Sequence, residues 1–390
     1  MIDIKDNPSL RAMCEDMAAQ PFVVMDTEFI RERTYYPVLA LVQVAWEGQE
    51  PLLIDPLEIT DWQPFHDVLL NTRVVKVFHA GRQDLEIFYY QMNAMPANVF
   101  DTQVAASMCG LGDQLGYGVL VAKLLGVQLA KGSSYTNWLQ RPLTGTQLRY
   151  ARDDVHYLSA VYKKLVDMAQ AKQRLQWIQE ELLQQLNEEL FTQDPAELWR
   201  KVKKAKSLKE RDLPVLQEMA IWRDTMARKI NKPVRFLLSD EAIIELARID
   251  QLSLENLKSR RGLTAGIVNR YGEEILRRHS EGRSAPKAKW PRNEKQRRPP
   301  SEKSEAMADL AWLLIKEIAD NAHLAPIHLI AKKDLPYFID AYVRGKDLSD
   351  FPISHGWRKA TVGDLLVKLI EGKLTIKVQN RQIVWLEDPN

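Results

Sequence analysis

The sequence predicts a mixed α/β domain followed by two all-helical modules. Three observations lead to this fold class. The apolar run Phe22–Phe29 reads as a buried strand, and two further strand patterns follow it as a meander. Strand and helix patterns then alternate to about residue 170, which is typical of a mixed sheet flanked by helices. Beyond that point helical periodicity dominates.

The expected elements of the sheet domain follow from apolar periodicity and from capping residues. Strands are expected at 22–29, 39–46, 52–54, 74–78 and 99–100. Helices are expected at 8–19, at 61–70, directly after Gly81, at 102–108, at 117–125, and from Thr144 or Thr146 to about Met168. The chain is expected to end in a β-hairpin at 374–386, where apolar and polar residues alternate around Asn380-Arg381.

The chain divides into five predicted segments. These are a sheet domain at 1–170, connecting helices at 171–207, a helical module at 208–282, a basic proline-rich linker at 283–303, and a second helical module with the hairpin at 304–390. Each module has a helix, a proline, an apolar pair and another helix, which suggests a duplication. Convergence between unrelated helical bundles is the alternative.

The charge is distributed unevenly. Residues 1–170 carry 14 Lys and Arg against 20 Asp and Glu, whereas the remaining residues carry 40 against 32. The acidic part suits a metal site and the basic part a polyanionic partner, although a solvated basic surface is the simpler alternative.

Two cysteines imply neither a disulfide framework nor a zinc site. Because no export signal or membrane-spanning run is recognised, a cytoplasmic location without membrane partners is expected.

The first predicted strand carries two acids near its end. Asp26 and Glu28 are two residues apart, so their side chains point to the same face of the strand. Two buried like charges repel each other, and a divalent cation such as Mg²⁺ or Mn²⁺ would remove that cost. The alternative is a strand that emerges into water through these two residues.

Three further side chains complete a candidate site. Asp84 lies in the first turn of the helix after Gly81, and Tyr150 and Asp154 share a helix face four residues apart. Hydrolysis of a phosphodiester by two metal ions requires such a set of carboxylates. A phenol can hold the attacking water because it both donates and accepts hydrogen bonds.

These motifs resemble a known enzyme class. The patterns Asp26-x-Glu28, His79-Ala80-Gly81-Arg82-Gln83-Asp84 and Tyr150-x-x-x-Asp154 are similar to the three exonuclease motifs of the DEDD superfamily, in its tyrosine branch. The segments Thr34-Tyr35-Tyr36-Pro37 and Trp138-Leu139-Gln140-Arg141-Pro142-Leu143 look like the bacterial ribonuclease D family. The helical modules resemble helicase-and-ribonuclease-D C-terminal (HRDC) domains.

The resemblance implies a ribonuclease H-like fold and 3′-to-5′ removal of nucleotides from RNA, typically at transfer RNA 3′ ends, with release of nucleoside 5′-monophosphates. It implies that Asp26, Glu28 and Asp154 bind metal directly, that Asp84 supports a second ion, and that Tyr150 positions water. Two ions, Mg²⁺ or Mn²⁺, are the expected cofactors. Transfer RNA precursors with 3′ extensions are the expected partners of a monomeric protein.

Four residues near these motifs are candidate RNA contacts. Phe29, Tyr35 and Tyr36 suit stacking on terminal bases, and His79 suits a phosphate contact. Core packing is the alternative for Phe29, and a core hydrogen bond is the alternative for His79.

Two other functions stay open from the residues alone: a DNA 3′ exonuclease on the same fold, and a non-catalytic nucleic-acid adaptor.

Overall fold

A computed structural model describes residues 1–93, 95–130, 136–185, 190–192, 194–260, 262–292 and 298–387. The chain folds into two compact units that do not follow chain order. The first comprises Met1–Glu28, Ala40–Asn187 and Arg297–Asn390, and the second comprises Phe29–Leu39 and Glu188–Gln296. Among the described residues, no helix has the length and apolarity needed to cross a bilayer.

A five-stranded sheet organises the first 170 residues. Its strands are β1 (Phe22–Ile30), β2 (Val38–Ala45), β3 (Leu52–Ile54), β4 (Val75–Phe78) and β5 (Val99–Asp101). The order across the sheet is β3-β2-β1-β4-β5. β4 runs parallel to β1 and to β5, and β3 runs antiparallel to β2. The mixed sheet expected from the sequence is therefore confirmed, with β1 in the centre.

Helices cover this sheet. They are α1 (Asn7–Ala18), α2 (Gln63–Leu70), α3 (Arg82–Met92), α4 (Thr102–Met108), α5 (Tyr117–Leu125), α6 (Gly145–His156) and α7 (Leu158–Ala171). Thr144 caps α6 in a reciprocal arrangement with Gln147. The expectation of one helix running from this cap to about Met168 was wrong, because the helix breaks at Tyr157.

The second unit contains a helical domain. Its helices are α9 (Leu213–Lys229), α10 (Asp240–Ala247), α11 (Leu254–Lys258) and α12 (Ala265–Ser284). Trp222, Leu238, Ile243 and Ile275 lie in its apolar core. Pro195–Lys201 and Val234–Phe236 form 3-10 turns. Of the predicted linker, residues 293–297 lie outside the described residues, and Lys287–Lys289 form a 3-10 turn.

The last helical segment belongs to the first unit. α8 (Leu175–Gln185) precedes it in that unit, and the segment contains α13 (Glu302–Asn321), α14 (Leu335–Val343), α15 (Gly356–Arg358) and α16 (Asp364–Ile370). One apolar cluster extends from Val77 and Val155 of the sheet domain to Leu314 and Phe338 of this segment. The predicted terminal hairpin is confirmed as β6 (Leu374–Gln379) paired with β7 (Gln382–Glu387).

Candidate active site

Three carboxylates from two elements meet in the first unit. β1 presents Asp26 and Glu28, and α6 presents Asp154. One carboxylate oxygen of each lies within 4.8 Å of one such oxygen on each of the others. All three residues are half-buried. The alternation of β1 side chains explains why both of its acids reach this point.

Asp84 lies beside these three carboxylates. It occupies the first turn of α3 and is 6% exposed. The Thr27 hydroxyl donates a hydrogen bond to its carboxylate. Thr27 separates the two acids of β1, so the strand itself orients the acid of the neighbouring helix. The negative charge of Asp26 also acts on Asp84. The structure thus groups three of the four acids selected from the sequence, and Asp84 lies at the edge of that group.

The turn before α3 explains how Asp84 reaches this position. The Asp101 carboxylate accepts hydrogen bonds from the backbone N–H groups of Ala80, at 3.1 Å, and Gly81, at 2.8 Å. Ala80 has a left-handed φ of 55°. A Cβ atom at Gly81 would lie 2.5 Å from the Phe78 Cβ, so only glycine fits there. β4 is therefore followed by a fixed turn that starts α3.

Tyr150 lies one helical turn before Asp154. Its hydroxyl hydrogen-bonds the Asp154 carboxylate. Burial raises the Tyr150 pKa, and the charges of Asp154 and Glu28 raise it further. The phenol consequently stays protonated and keeps a proton to donate beside the acids. The Trp138 ring, 6.1 Å from the Tyr150 ring between centroids, packs against it.

Burial raises the pKa of all three acids in this group. Burial, with repulsion from Asp154, raises the pKa of Asp26 to about 8. Burial and the charges of Asp26 and Asp154 raise the pKa of Glu28 to about 9. Burial also raises the pKa of Asp154 to about 7. Carboxylate oxygens that are close together and mutually repelling suit a hard divalent cation, so the residues present fit the metal that the motifs imply.

These pKa shifts predict how the stability of the metal-free protein depends on pH. A carboxyl group whose pKa is raised by folding binds more protons in the folded state, so its contribution to stability is lost as pH rises from about 4 to about 9. We expect the melting temperature in excess chelator to fall between pH 5 and pH 8 by scanning fluorimetry. Asp26→Asn should flatten this fall.

The control for that experiment is Asp167→Asn, which replaces an exposed acid of α7. It should melt with the same pH dependence as the unchanged protein. A wild-type melting temperature that rises over this range, with Asp26→Asn following the same curve, would contradict the repulsion described here.

The candidate RNA contacts have other partners in the structure. In the second unit, the Tyr35 hydroxyl donates to Asp224 at 2.7 Å, and the Arg228 guanidinium lies 5.1 Å from the Tyr35 ring centroid. The Asn231 side-chain oxygen accepts from the N–H groups of Tyr35 and Tyr36 at 3.0 and 3.2 Å. This loop is therefore fixed to the end of α9. Its proposed stacking on RNA stays a prediction.

The other two candidates are positioned differently. His79 directly follows β4, and its Nδ1 atom lies 3.0 Å from the Thr102 hydroxyl. Its ring centroid is 5.6 Å from that of Tyr117. Phe29 is a half-buried residue of β1. A contact of His79 or Phe29 with RNA also stays a prediction.

Three residues beside the acids were not assigned a site role from the sequence. The Thr27 hydroxyl donates a hydrogen bond to Asp84. Tyr117 lies near enough to Asp154 that the charge of Asp154 raises the pKa of Tyr117. The Asp101 carboxylate caps α4 by accepting from the Gln103 N–H, and it also holds the turn after β4. A cap signal could have found Asp101, whereas no local pattern distinguishes Tyr117.

Comparisons with known proteins agree with this geometry. A family model described as 3′-5′ exonuclease matches residues 1–170, and one described as HRDC domain matches residues 212–278. A ribonuclease D of Jannaschia sp. is 36% identical over 98% of this chain and 99% of its own length. A ribonuclease D of Pseudomonas paraeruginosa is 34% identical over 94% of this chain and 97% of its own length.

A solved structure is also similar over nearly the whole chain. The crystal structure of Escherichia coli RNase D, described as an exoribonuclease involved in structured RNA processing, superposes with a TM-score of 0.82 at 29% identity. The superposition covers 95% of this chain and 99% of that protein. Together with the near full-length relatives, this similarity shows that the chain belongs to the ribonuclease D family.

Proposed function

We propose that this protein is a divalent-metal-dependent 3′-to-5′ exoribonuclease that releases nucleoside 5′-monophosphates, and that it matures transfer RNA 3′ ends. The activity class follows from membership of the ribonuclease D family. The observation that carries the mechanism is the convergence of Asp26, Glu28 and Asp154 within 4.8 Å. A non-catalytic adaptor has no need for a cluster whose mutual repulsion destabilises the fold.

Asp26, Glu28 and Asp154 are the residues that would hold metal directly. Asp84, oriented by Thr27 at the edge of the group, would support a second ion. We propose Mg²⁺ or Mn²⁺, because both prefer carboxylate oxygens. When bound, such ions lower the pKa of water and stabilise the charge that develops on the leaving oxygen.

Tyr150 is proposed to orient the attacking water. Its hydrogen bond to Asp154 fixes the phenol next to the carboxylates, and burial keeps the phenol protonated. A group held in this way restricts the water to one direction of attack, which removes orientational freedom before the reaction. Phe29, Tyr35, Tyr36 and His79 remain the proposed contacts to RNA.

A second HRDC-like domain at 304–390 is part of the proposal, as are the five predicted segments. The support is a repeated pattern at the end of the first helix of each module. Asn231 and His323, 92 positions apart, have left-handed φ angles of 47° and 53°. The bond from the Lys232 N–H to the Ala227 carbonyl recurs from Leu324 to Ala319, at the same offset.

The pattern continues into the next turn of each module. The 3-10 turns Val234–Phe236 and Pro326–His328 have the same offset of 92. A buried apolar pair follows each of them, formed by Leu237-Leu238 in the first module and Leu329-Ile330 in the second. Identical backbone hydrogen-bond register over a dozen residues favours duplication over convergence.

A matched set of 3′-labelled and 5′-labelled oligonucleotides tests the proposed activity and substrate. The set should contain a transfer RNA precursor with a 3′ extension, an unstructured RNA, and a DNA of the same sequence. We expect stepwise 3′ shortening of RNA and release of 5′-monophosphates with Mg²⁺, and no product with chelator.

The outcomes separate the alternatives. Faster cleavage of the DNA than of the RNA would favour a DNA 3′ exonuclease. Equal cleavage of the extended precursor and mature transfer RNA would contradict the proposed role in 3′-end maturation. Light scattering of the same preparation tests the proposed monomeric state, which a measured molar mass near 45.0 kDa would support.

A further inference from the structure

The break between α6 and α7 lies immediately after the acidic group. Tyr157, the residue at the break, is three positions after Asp154. In an unbroken helix the Tyr157 N–H would donate to the Asp153 carbonyl, four residues earlier. Here the Tyr157 N–H instead turns towards the Val155 carbonyl. The Asp153 carbonyl, next to a proposed metal ligand, therefore needs another donor.

The side chain of Tyr117 supplies that donor. Its hydroxyl donates to the Asp153 carbonyl oxygen at 3.1 Å. The Tyr117 hydroxyl therefore replaces the Tyr157 N–H as the donor to the Asp153 carbonyl. Insertion of a side chain into the backbone ladder is a known cause of a sharp helix kink.

The Tyr117 side chain is held in place by residues at the end of β4. It begins α5, and its ring centroid lies 5.6 Å from that of His79 at the end of β4. His79 is bonded to the Thr102 hydroxyl, which donates to the Phe78 carbonyl at 3.0 Å. The phenol is thus fixed from the end of β4, the strand that leads into the turn before Asp84.

The electrostatics place the phenol near the acids. Burial raises the Tyr117 pKa, and the charges of Asp154 and Asp26 raise it further. The group therefore stays protonated and can keep donating to the Asp153 carbonyl. It makes no hydrogen bond to a carboxylate in the described structure. Its effect on the acids passes through the backbone of α6.

We propose that Tyr117 is a positioning residue: its hydroxyl sets the helix break after α6 and thereby fixes the Asp154 carboxylate relative to Asp26 and Glu28. This inference rests on the proposed function, because it takes Asp154 to be a metal ligand. Without the hydroxyl, the Asp153–Tyr157 backbone pair can close, and the last turn of α6 rotates. The carboxylates then remain present but are misaligned for a shared cation.

The test is Tyr117→Phe, which keeps the ring and its packing against His79 and removes only the hydroxyl. Tyr162→Phe is the matched control, because Tyr162 lies on α7 with its ring 4.7 Å from Phe22 and 4.9 Å from Phe100. Mn²⁺ binding should be measured by titration calorimetry without RNA, and kcat and KM on a single-stranded RNA in saturating Mg²⁺.

Changes to groups that orient metal ligands weaken metal binding by about 10- to 100-fold. We expect Tyr117→Phe to weaken Mn²⁺ binding about tenfold and to lower kcat about tenfold. KM for RNA should stay within about twofold, because the substitution is expected to act on the metal site and not on RNA binding. Tyr162→Phe should retain wild-type Mn²⁺ affinity and kcat.

Wild-type Mn²⁺ affinity in Tyr117→Phe would overturn the positioning role. A variant that no longer folds would also overturn it, because the hydroxyl would then serve general stability. Equal losses in Tyr162→Phe would do the same. Failure of the wild-type protein to bind Mn²⁺ would instead overturn the proposed metal site itself, so the two failures are distinguishable.

Discussion

Replacing Asp26 with asparagine should lower kcat for RNA hydrolysis by roughly 10³-fold or more. Asp26 lies on the central strand, and one of its oxygens is within 4.8 Å of those of Glu28 and Asp154. The amide removes one charge and one anionic ligand from this group. Metal ions contribute several kcal/mol to transition-state stabilisation, and about 4 kcal/mol corresponds to roughly 10³-fold in rate.

A measurement of RNA binding distinguishes the expected loss of kcat from unfolding of the variant. Asp26→Asn is nearly isosteric and relieves repulsion, so we expect it to fold and to bind a single-stranded RNA within about threefold of wild type. Asp167→Asn, on an exposed part of α7, serves as the control and should leave kcat unchanged. Full activity of Asp26→Asn at ordinary Mg²⁺ concentrations would show that this acid has no part in the reaction.

The second large effect is expected for Tyr150→Phe, which should lower kcat by about 10²-fold. The substitution keeps the ring that packs on Trp138 and removes the hydroxyl bonded to Asp154. The carboxylates remain, so Mn²⁺ binding should change by less than about threefold. A lower kcat with unchanged Mn²⁺ binding distinguishes a residue that orients water from one that shapes the metal site.

Single-turnover cleavage of a short RNA measures this rate directly. Tyr162→Phe is again the control, since it removes a phenol hydroxyl of α7 and keeps the ring that packs against Phe22 and Phe100. Tyr150→Phe with wild-type single-turnover kinetics would eliminate the proposed role of the phenol. A reduction larger than that of Asp26→Asn would mean that Tyr150 does more than orient water.

The parts of the site that depend on local geometry could be predicted from the sequence. The two-residue spacing of Asp26 and Glu28 defines one strand face, and the four-residue spacing of Tyr150 and Asp154 defines one helix face. Both patterns need only the period of their own element. Their meeting in space was inferred from the resemblance of the motifs, because no local rule brings residue 154 to residue 26.

The parts that depend on long-range contacts could not be predicted. The hydrogen bond between Thr27 and Asp84 joins residues 57 positions apart, and that between Tyr117 and Asp153 joins residues 36 positions apart. The second of these also explains why one predicted helix is two, since nothing in residues 150–160 is a helix breaker. Likewise, the apolar cluster shared by Val77 and Phe338 is formed only in the folded chain.

The position of Mn²⁺ in crystals of the protein, located by anomalous scattering, tests whether these acids form the metal site. We expect a strong peak among the carboxylates of Asp26, Glu28 and Asp154, and loss of that peak in Asp26→Asn crystals under the same conditions. Absence of Mn²⁺ from this group, at a concentration that supports full RNA hydrolysis in solution, would contradict the claim that these acids form the metal site.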